Sequence, residues 1–260
     1  MARKNRRTDL DNETTRDYFS GIAREKRVNE HSNSDKYDEI KKLLLPDKAY
    51  SRILECGGGG GFYTRRLLAD GYRVTCVDLS EEALRVNTRN AQRLGKAAKL
   101  AVVARDFVGF CHSSDQTFDQ VLFIKVLHHF DTLENVNTAL EGAIEHCRRG
   151  GRIIIFEPNG ANRLWRLFLS MQKNTTTGKS KWFYEQNMRY TTVPNFVAIL
   201  DRLQADHEFE YRVGYHYVIP SFILNTGYRG VSYLRRLNRA LETTWLKERF
   251  SFNISLVIDV

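Results

Sequence analysis

Between Ser51 and Asn159 the chain repeats one rhythm, a short apolar run followed by a segment with helical spacing. "SRILEC", "YRVTCVD", "AKLAVVARD", "FDQVLFIKV" and "RIIIFEPN" read as five strands. "FYTRRLLADG", "SEEALRVNTRNAQRLG" and "DTLENVNTALEGAIEHCRRGG" read as helices, the second capped by Ser80 and stopped by Gly95, the third running to a double glycine. Strands rich in Val, Ile and Leu that alternate with helices need cover on both faces, which means a mostly parallel sheet between helical layers. The fold expected is therefore α/β and Rossmann-like.

The stretch "ILECGGGGGFYT" places five consecutive glycines, Gly57 to Gly61, between the first strand and the first helix. Glycine costs backbone entropy and packs nothing, so the run marks a backbone that something must approach closely. In an open parallel sheet ligands bind beyond the carboxyl ends of the strands, where a helix also presents free N–H groups. The dinucleotide pattern G-x-G-x-x-G started at Gly57 requires glycine at Phe62, and neighbouring frames fail as well. Acid-x-G-x-G-x-G fits as Glu55, Gly57, Gly59 and Gly61. A carboxylate ahead of the glycines repels a pyrophosphate and suits a cationic ligand, so a cofactor without phosphates is favoured.

On these residues the chain resembles the class I S-adenosylmethionine-dependent methyltransferases, in particular the small-molecule type 11 and type 12 families. "ILECGGGGGFYTRRLLADGYRVTCVDLS" is similar to their first two motifs, "VARDF" to the third, "FDQVLFIKVLHHF" to the fourth and "GGRIIIFEPN" to the strand-five motif. The likeness covers about residues 36–160 and returns at "SFNISLVIDV", like the family's antiparallel last strand. It implies a seven-stranded sheet and S-adenosyl-L-methionine as cofactor. Asp78, 21 residues past Gly57, would take both ribose hydroxyls, with Leu79 beside it. Asp106 would accept from the adenine amino group and the Phe107 backbone would meet a ring nitrogen. Glu55, Gly57, Gly59 and Gly61 complete the expected cofactor set. Gly59 is expected to tolerate no side chain, whereas Gly58 and Gly60 stand at variable positions and should accept Ala or Ser. Lys125, also counted with this set, stands where the family often has an acid or a small polar residue, and it hints at an anionic partner.

The family's reaction is an in-line attack of a nucleophile on a sulfonium methyl, driven chiefly by alignment. A hydroxyl nucleophile also needs a proton acceptor, and His128 and His129 follow strand four at the expected methyl-transfer edge, with His128 slightly preferred. Packing or capping is the competing role for the pair. Neither an Asn/Asp-Pro-Pro-aromatic motif nor a Pro-Cys pair stands at that edge, which speaks against base methylation. No His or Cys cluster has metal-ligand spacing, and no metal is expected.

Charge and composition bound the rest. The net charge is +9, and Arg148–Tyr190 holds nine Lys or Arg against two acids. Residues 160–192 are expected to be a substrate lid, with the amphipathic stretch "ANRLWRLFLSMQK" and aromatics from Trp165 to Tyr190; Tyr215, His216 and Tyr217 add to the set. Basic and aromatic together, this set suits an acidic or lipid-linked small molecule and peripheral membrane contact. Residues 1–35 read as a polar, partly helical extension and 36–260 as the catalytic domain. Four scattered cysteines, no secretory leader and no bilayer-spanning apolar run suggest a cytoplasmic protein. Three readings stay open: a small-molecule methyltransferase, most simply acting on oxygen; one acting on RNA or protein, which the motifs disfavour; and an idle cofactor-binding subunit. The sequence does not fix the oligomeric state.

Overall fold

The computed structural model describes residues 30–46, 51–172, 186–224 and 231–260. Its elements run α1 (Glu30–Leu43), β1 (Arg52–Cys56), α2 (Phe62–Asp70), β2 (Arg73–Asp78), α3 (Glu81–Arg93), β3 (Leu100–Ala104), α4 (Phe107–Ser113), β4 (Phe118–Ile124) and α5 (Leu133–His146). There follow β5 (Cys147–Pro158), α6 (Arg163–Gln172), α7 (Val193–Leu203), β6 (Glu210–His216), α8 (Ser221–Leu224), α9 (Val231–Leu241), α10 (Leu246–Phe250) and β7 (Asn253–Asp259). The seven strands form one sheet in the order β3-β2-β1-β4-β5-β7-β6, and β7 runs antiparallel to both of its neighbours.

Alternation along the strands builds two cores. Ile153 and Ile155 of β5 join Leu54, Phe123 and Leu256 on the face covered by α4, α5 and α7. Ile154 and Phe156 join Ile53, Leu122, Leu67 and Ile40 on the face covered by α1, α2 and α3. Successive side chains of a strand point to opposite faces, so a run such as "IIIF" is apolar throughout because both faces are buried. β1 pairs with β2 on one side and β4 on the other. Chain order reverses there, and the loops after β1 and β4 part to leave a crevice at the carboxyl edge.

The third helix ends at His146, not at the double glycine; Cys147 already pairs with Phe118 of β4, and Gly150 donates its N–H to Val260. A helix unforeseen in the sequence, α4, follows Asp106, whose side chain caps it by accepting from Gly109 N at 2.7 Å. β6 stops at His216, because Tyr217 turns into the left-handed region at φ 63. α9 ends at Leu241, where the Thr243 and Thr244 hydroxyls donate back to the Ala240 and Leu241 carbonyls. α1 begins at Glu30 and crosses the boundary expected at residue 35; residues 1–29 lie outside the described residues.

Candidate active site

The crevice is a cavity of about 420 Å³ walled by the ends of four strands. Gly57 and Gly59 contribute from β1, Asp78 and Leu79 from β2, Asp106 and Phe107 from β3, and Lys125 and His129 from β4. Eight of the eleven residues singled out in the sequence thus meet in one place. A larger cleft of about 670 Å³ opens between α1, the end of β6 and α9, but it shares no residue with this cavity and none of the strand-end acids reaches it. The strand-end chemistry decides for the smaller one.

The floor is the glycine loop. Gly59 has φ 51, and an added Cβ there would meet nothing within 4 Å, so the position is open towards the cavity while its backbone disfavours any side chain. Its N–H donates to Asp78 Oδ2 at 2.8 Å, and Ser80 N donates to Asp78 Oδ1 at 2.8 Å. Burial raises the Asp78 carboxyl above its ordinary value, and these two N–H groups pull it back. Gly58, expected to be variable, is closed: a Cβ would collide with the Cys76 thiol and press on Glu55 and Thr64. Gly60 meets nothing and keeps the expected freedom.

Glu55 does not line the cavity. It is 1% exposed, behind the loop, where Thr64 donates its hydroxyl to Glu55 Oε2 at 2.5 Å and Asn87 Nδ2 donates to Thr64 Oγ1 at 2.9 Å. Burial pushes its carboxyl up to about 7, with the Thr64 bond acting the other way. The acid expected to face a cation instead supports the glycines from beneath.

The wall is the turn after β4, and here the two histidines separate. His129 faces the cavity, whereas His128 is buried and pairs through Nδ1 with Glu157 Oε2 at 2.6 Å. The slight preference for His128 as proton acceptor is therefore reversed. Glu157 Oε1 also accepts from Val126 N at 2.7 Å and Leu127 N at 2.8 Å. Burial pushes the Glu157 carboxyl up to about 7, against the pull of those backbone N–H groups. Lys125 has φ 55, unusual for a residue with a side chain, and donates its N–H to the Phe156 carbonyl.

Sequence reasoning missed the far side of the cavity, where Phe130 and Asp131 come from the turn before α5 and Asn135 and Thr138 from its start. The cue was the Thr132 cap, which accepts from Asn135 N and starts the helix at the cavity rim. Of the expected substrate aromatics, Trp165 packs edge-on against Phe252 and His216 against Phe156, with His216 Nε2 2.8 Å from Ser255 Oγ. Trp182, Phe183 and Tyr184 lie outside the described residues. Among the described residues no three His, Cys, Asp or Glu side chains group as a metal site would need. No described helix is long and apolar enough to cross a membrane.

A strand order reversing at β1, glycines at its end and an acid closing β2 are joined by a family match: residues 54–153 fit the family described as "Methyltransferase domain". Residues 54–153 are thus similar to a methyltransferase domain. The chain is 24% identical over 127 residues to nodulation protein S of Rhizobium tropici, covering 49% of this chain and 51% of the relative. It is 28% identical over 131 residues to a ubiquinone biosynthesis O-methyltransferase of Rickettsia felis, covering 50% of this chain and 48% of the relative. In both, the match spans about half the relative's length. Its fold is that of a methyltransferase from Archaeoglobus fulgidus described as SAM-dependent, with a TM-score of 0.59, 14% identity and coverage of 88% and 95% of the two chains.

Proposed function

We propose that this chain moves the S-methyl group of S-adenosylmethionine to an oxygen of a small molecule. The observation that carries the reading is the Asp78–Gly59 pair at the cavity floor. The carboxylate is fixed by two backbone N–H groups, yet each oxygen keeps a lone pair to accept from a vicinal diol. The open space over Gly59 is where a side-chain-free backbone lets a cofactor's amino-acid end lie close. Asp106 stands at the next strand end, where an adenine amino group can donate to it, and the Phe107 backbone stands beside it. When bound, the cofactor supplies an electrophilic methyl on a cationic sulfur.

The chain's own residues do the rest. His129 is the group on the cavity wall suited to take a proton from an acceptor hydroxyl near neutral pH. Lys125, at the same edge, favours an anionic acceptor. On α6 the exposed Leu164, Leu167 and Met171 lie beside exposed Arg163 and Arg166, which supports an acidic or lipid-linked acceptor approaching along that helix. The relative from Rickettsia felis carries an O-methyltransferase name, which supports oxygen.

The test is incubation of the purified chain with methyl-labelled S-adenosylmethionine and a metabolite extract, followed by mass spectrometry. Label on a hydroxyl of a small acidic product is expected, with its formation lost in His129→Ala. Label on a nitrogen, or only on RNA or protein, would contradict the reading.

A further inference from the structure

The turn after β4 carries three cavity-lining residues, Lys125, Val126 and His129, with the buried Leu127 and His128 between the last two. Three groups of this turn end on one carboxylate. Val126 N and Leu127 N donate to Glu157 Oε1, and the His128 ring meets Glu157 Oε2. Glu157 is 0% exposed, on β5 between β4 and β7, and does not line the cavity. We propose that Glu157 is a positioning residue for methyl transfer, setting the orientation of Lys125 and His129 and the seat of the glycine loop without touching either ligand.

Three features support this. First, buried backbone N–H groups need acceptors, and without the carboxylate those of Val126 and Leu127 would lose the ones they have. Second, Lys125 holds a left-handed conformation that only an over-determined surround maintains. The N–H groups immediately before and after that strained peptide unit are both tied, one to Phe156 O and the other to Glu157. Third, Val126 fills the space above Gly57, since a Cβ on Gly57 would collide with Val126 Cγ2. Clamping Val126 therefore registers the wall against the floor. The two histidine rings, centroids 3.9 Å apart, pass the constraint from His128 to His129.

The inference rests on reading the cavity as the cofactor site, and the experiment separates the two. S-adenosylhomocysteine binding by calorimetry and the ring ¹⁵N shifts of His129 across a pH titration would be recorded for wild type, Glu157→Gln and Glu157→Ala. Glu157→Gln keeps an acceptor for the two amides, so affinity should return close to wild type, whereas Glu157→Ala should weaken it about tenfold, the scale of a lost buried hydrogen bond. His129 should titrate differently in both variants, because the nearby carboxylate charge is gone. Unchanged affinity and an unchanged His129 titration would overturn the proposal. So would a loss that follows melting temperature alone with no recovery in the glutamine variant. If Glu157→Ala does not fold, the His129 spectrum of Glu157→Gln decides. If wild type fails to bind S-adenosylhomocysteine, the cofactor reading falls, and the same spectrum still decides the role of Glu157.

Discussion

The floor and the wall of the cavity each rest on a buried glutamate, and the two are held in different ways. Glu55, below the glycine loop, takes its hydrogen bond from a side chain, Thr64, which Asn87 supports in turn. Glu157, behind the β4 turn, takes two of its bonds from backbone N–H groups and a third from a histidine ring. Burial pushes both carboxyls up to about 7, so both are near the balance between charged and neutral forms. The floor's acid can turn neutral and still hydrogen-bond to a hydroxyl, which donates or accepts as needed. The wall's acid faces N–H groups that can only donate. A protonated Glu157 would still serve them through one oxygen, but its second oxygen would depend on the state of His128.

The largest expected effect breaks this comparison at the wall. Glu157→Ala removes one partner of a buried, multiply bonded group and should cost about 3–5 kcal/mol in denaturant unfolding, whereas Glu55→Gln should cost far less because Thr64 keeps a partner. Equal losses would mean that the two acids are supported alike.

The pH dependence sharpens it. A carboxyl raised from 4.5 to about 7 on folding binds more protons in the native state between those values. Stability should therefore fall as pH rises from about 4.5 to 7 and level off above that range. Each group can contribute at most about 1.4 kcal/mol per pH unit within the window. Glu55→Gln should flatten that slope and gain on wild type at pH 8. Glu157→Gln should flatten it as well yet remain less stable than wild type, having lost the acceptor that His128 meets. Melting curves from pH 4.5 to 8 would show both.

Below these come the glycines of the floor. Gly58→Ala drives a methyl into Cys76 and should cost about 1–3 kcal/mol by overpacking, with part recovered in the Gly58→Ala/Cys76→Ala pair. Gly60→Ala meets open space and should change stability by no more than about 0.5 kcal/mol. Chemical denaturation of wild type and the three variants would rank them.

Much of the floor was legible in the sequence and much of the wall was not. Alternating apolar runs and helical segments carry a parallel sheet in their periodicity, and glycines at a strand end name a ligand edge because no core needs them. The role of Glu55 was misplaced, since spacing puts an acid before the glycines without saying which way its carboxyl turns. Gly58 was misjudged for a related reason: its constraint comes from Cys76, on the next strand. Glu157 and Val126 sit 31 residues apart, and nothing local in "IIIFEP" or "IKVLHH" shows that they meet. After β5 the rhythm stops, and α9 ends where the side chains of Asn238 and Glu242 accept from the Ile219 and Tyr217 N–H groups. Those partners are tertiary, so the break carries no period to read.

The central claim is that the cavity over Gly59 and Asp78 holds S-adenosylmethionine. Titration calorimetry of wild type and Asp78→Ala with that cofactor tests it most directly. The wild-type chain should bind, and the variant should lose at least about tenfold in affinity, since each charge-assisted hydrogen bond removed is worth about 1.5–3 kcal/mol. Equal affinity in the two proteins, or tighter binding of NADH than of S-adenosylmethionine by the wild type, would contradict it.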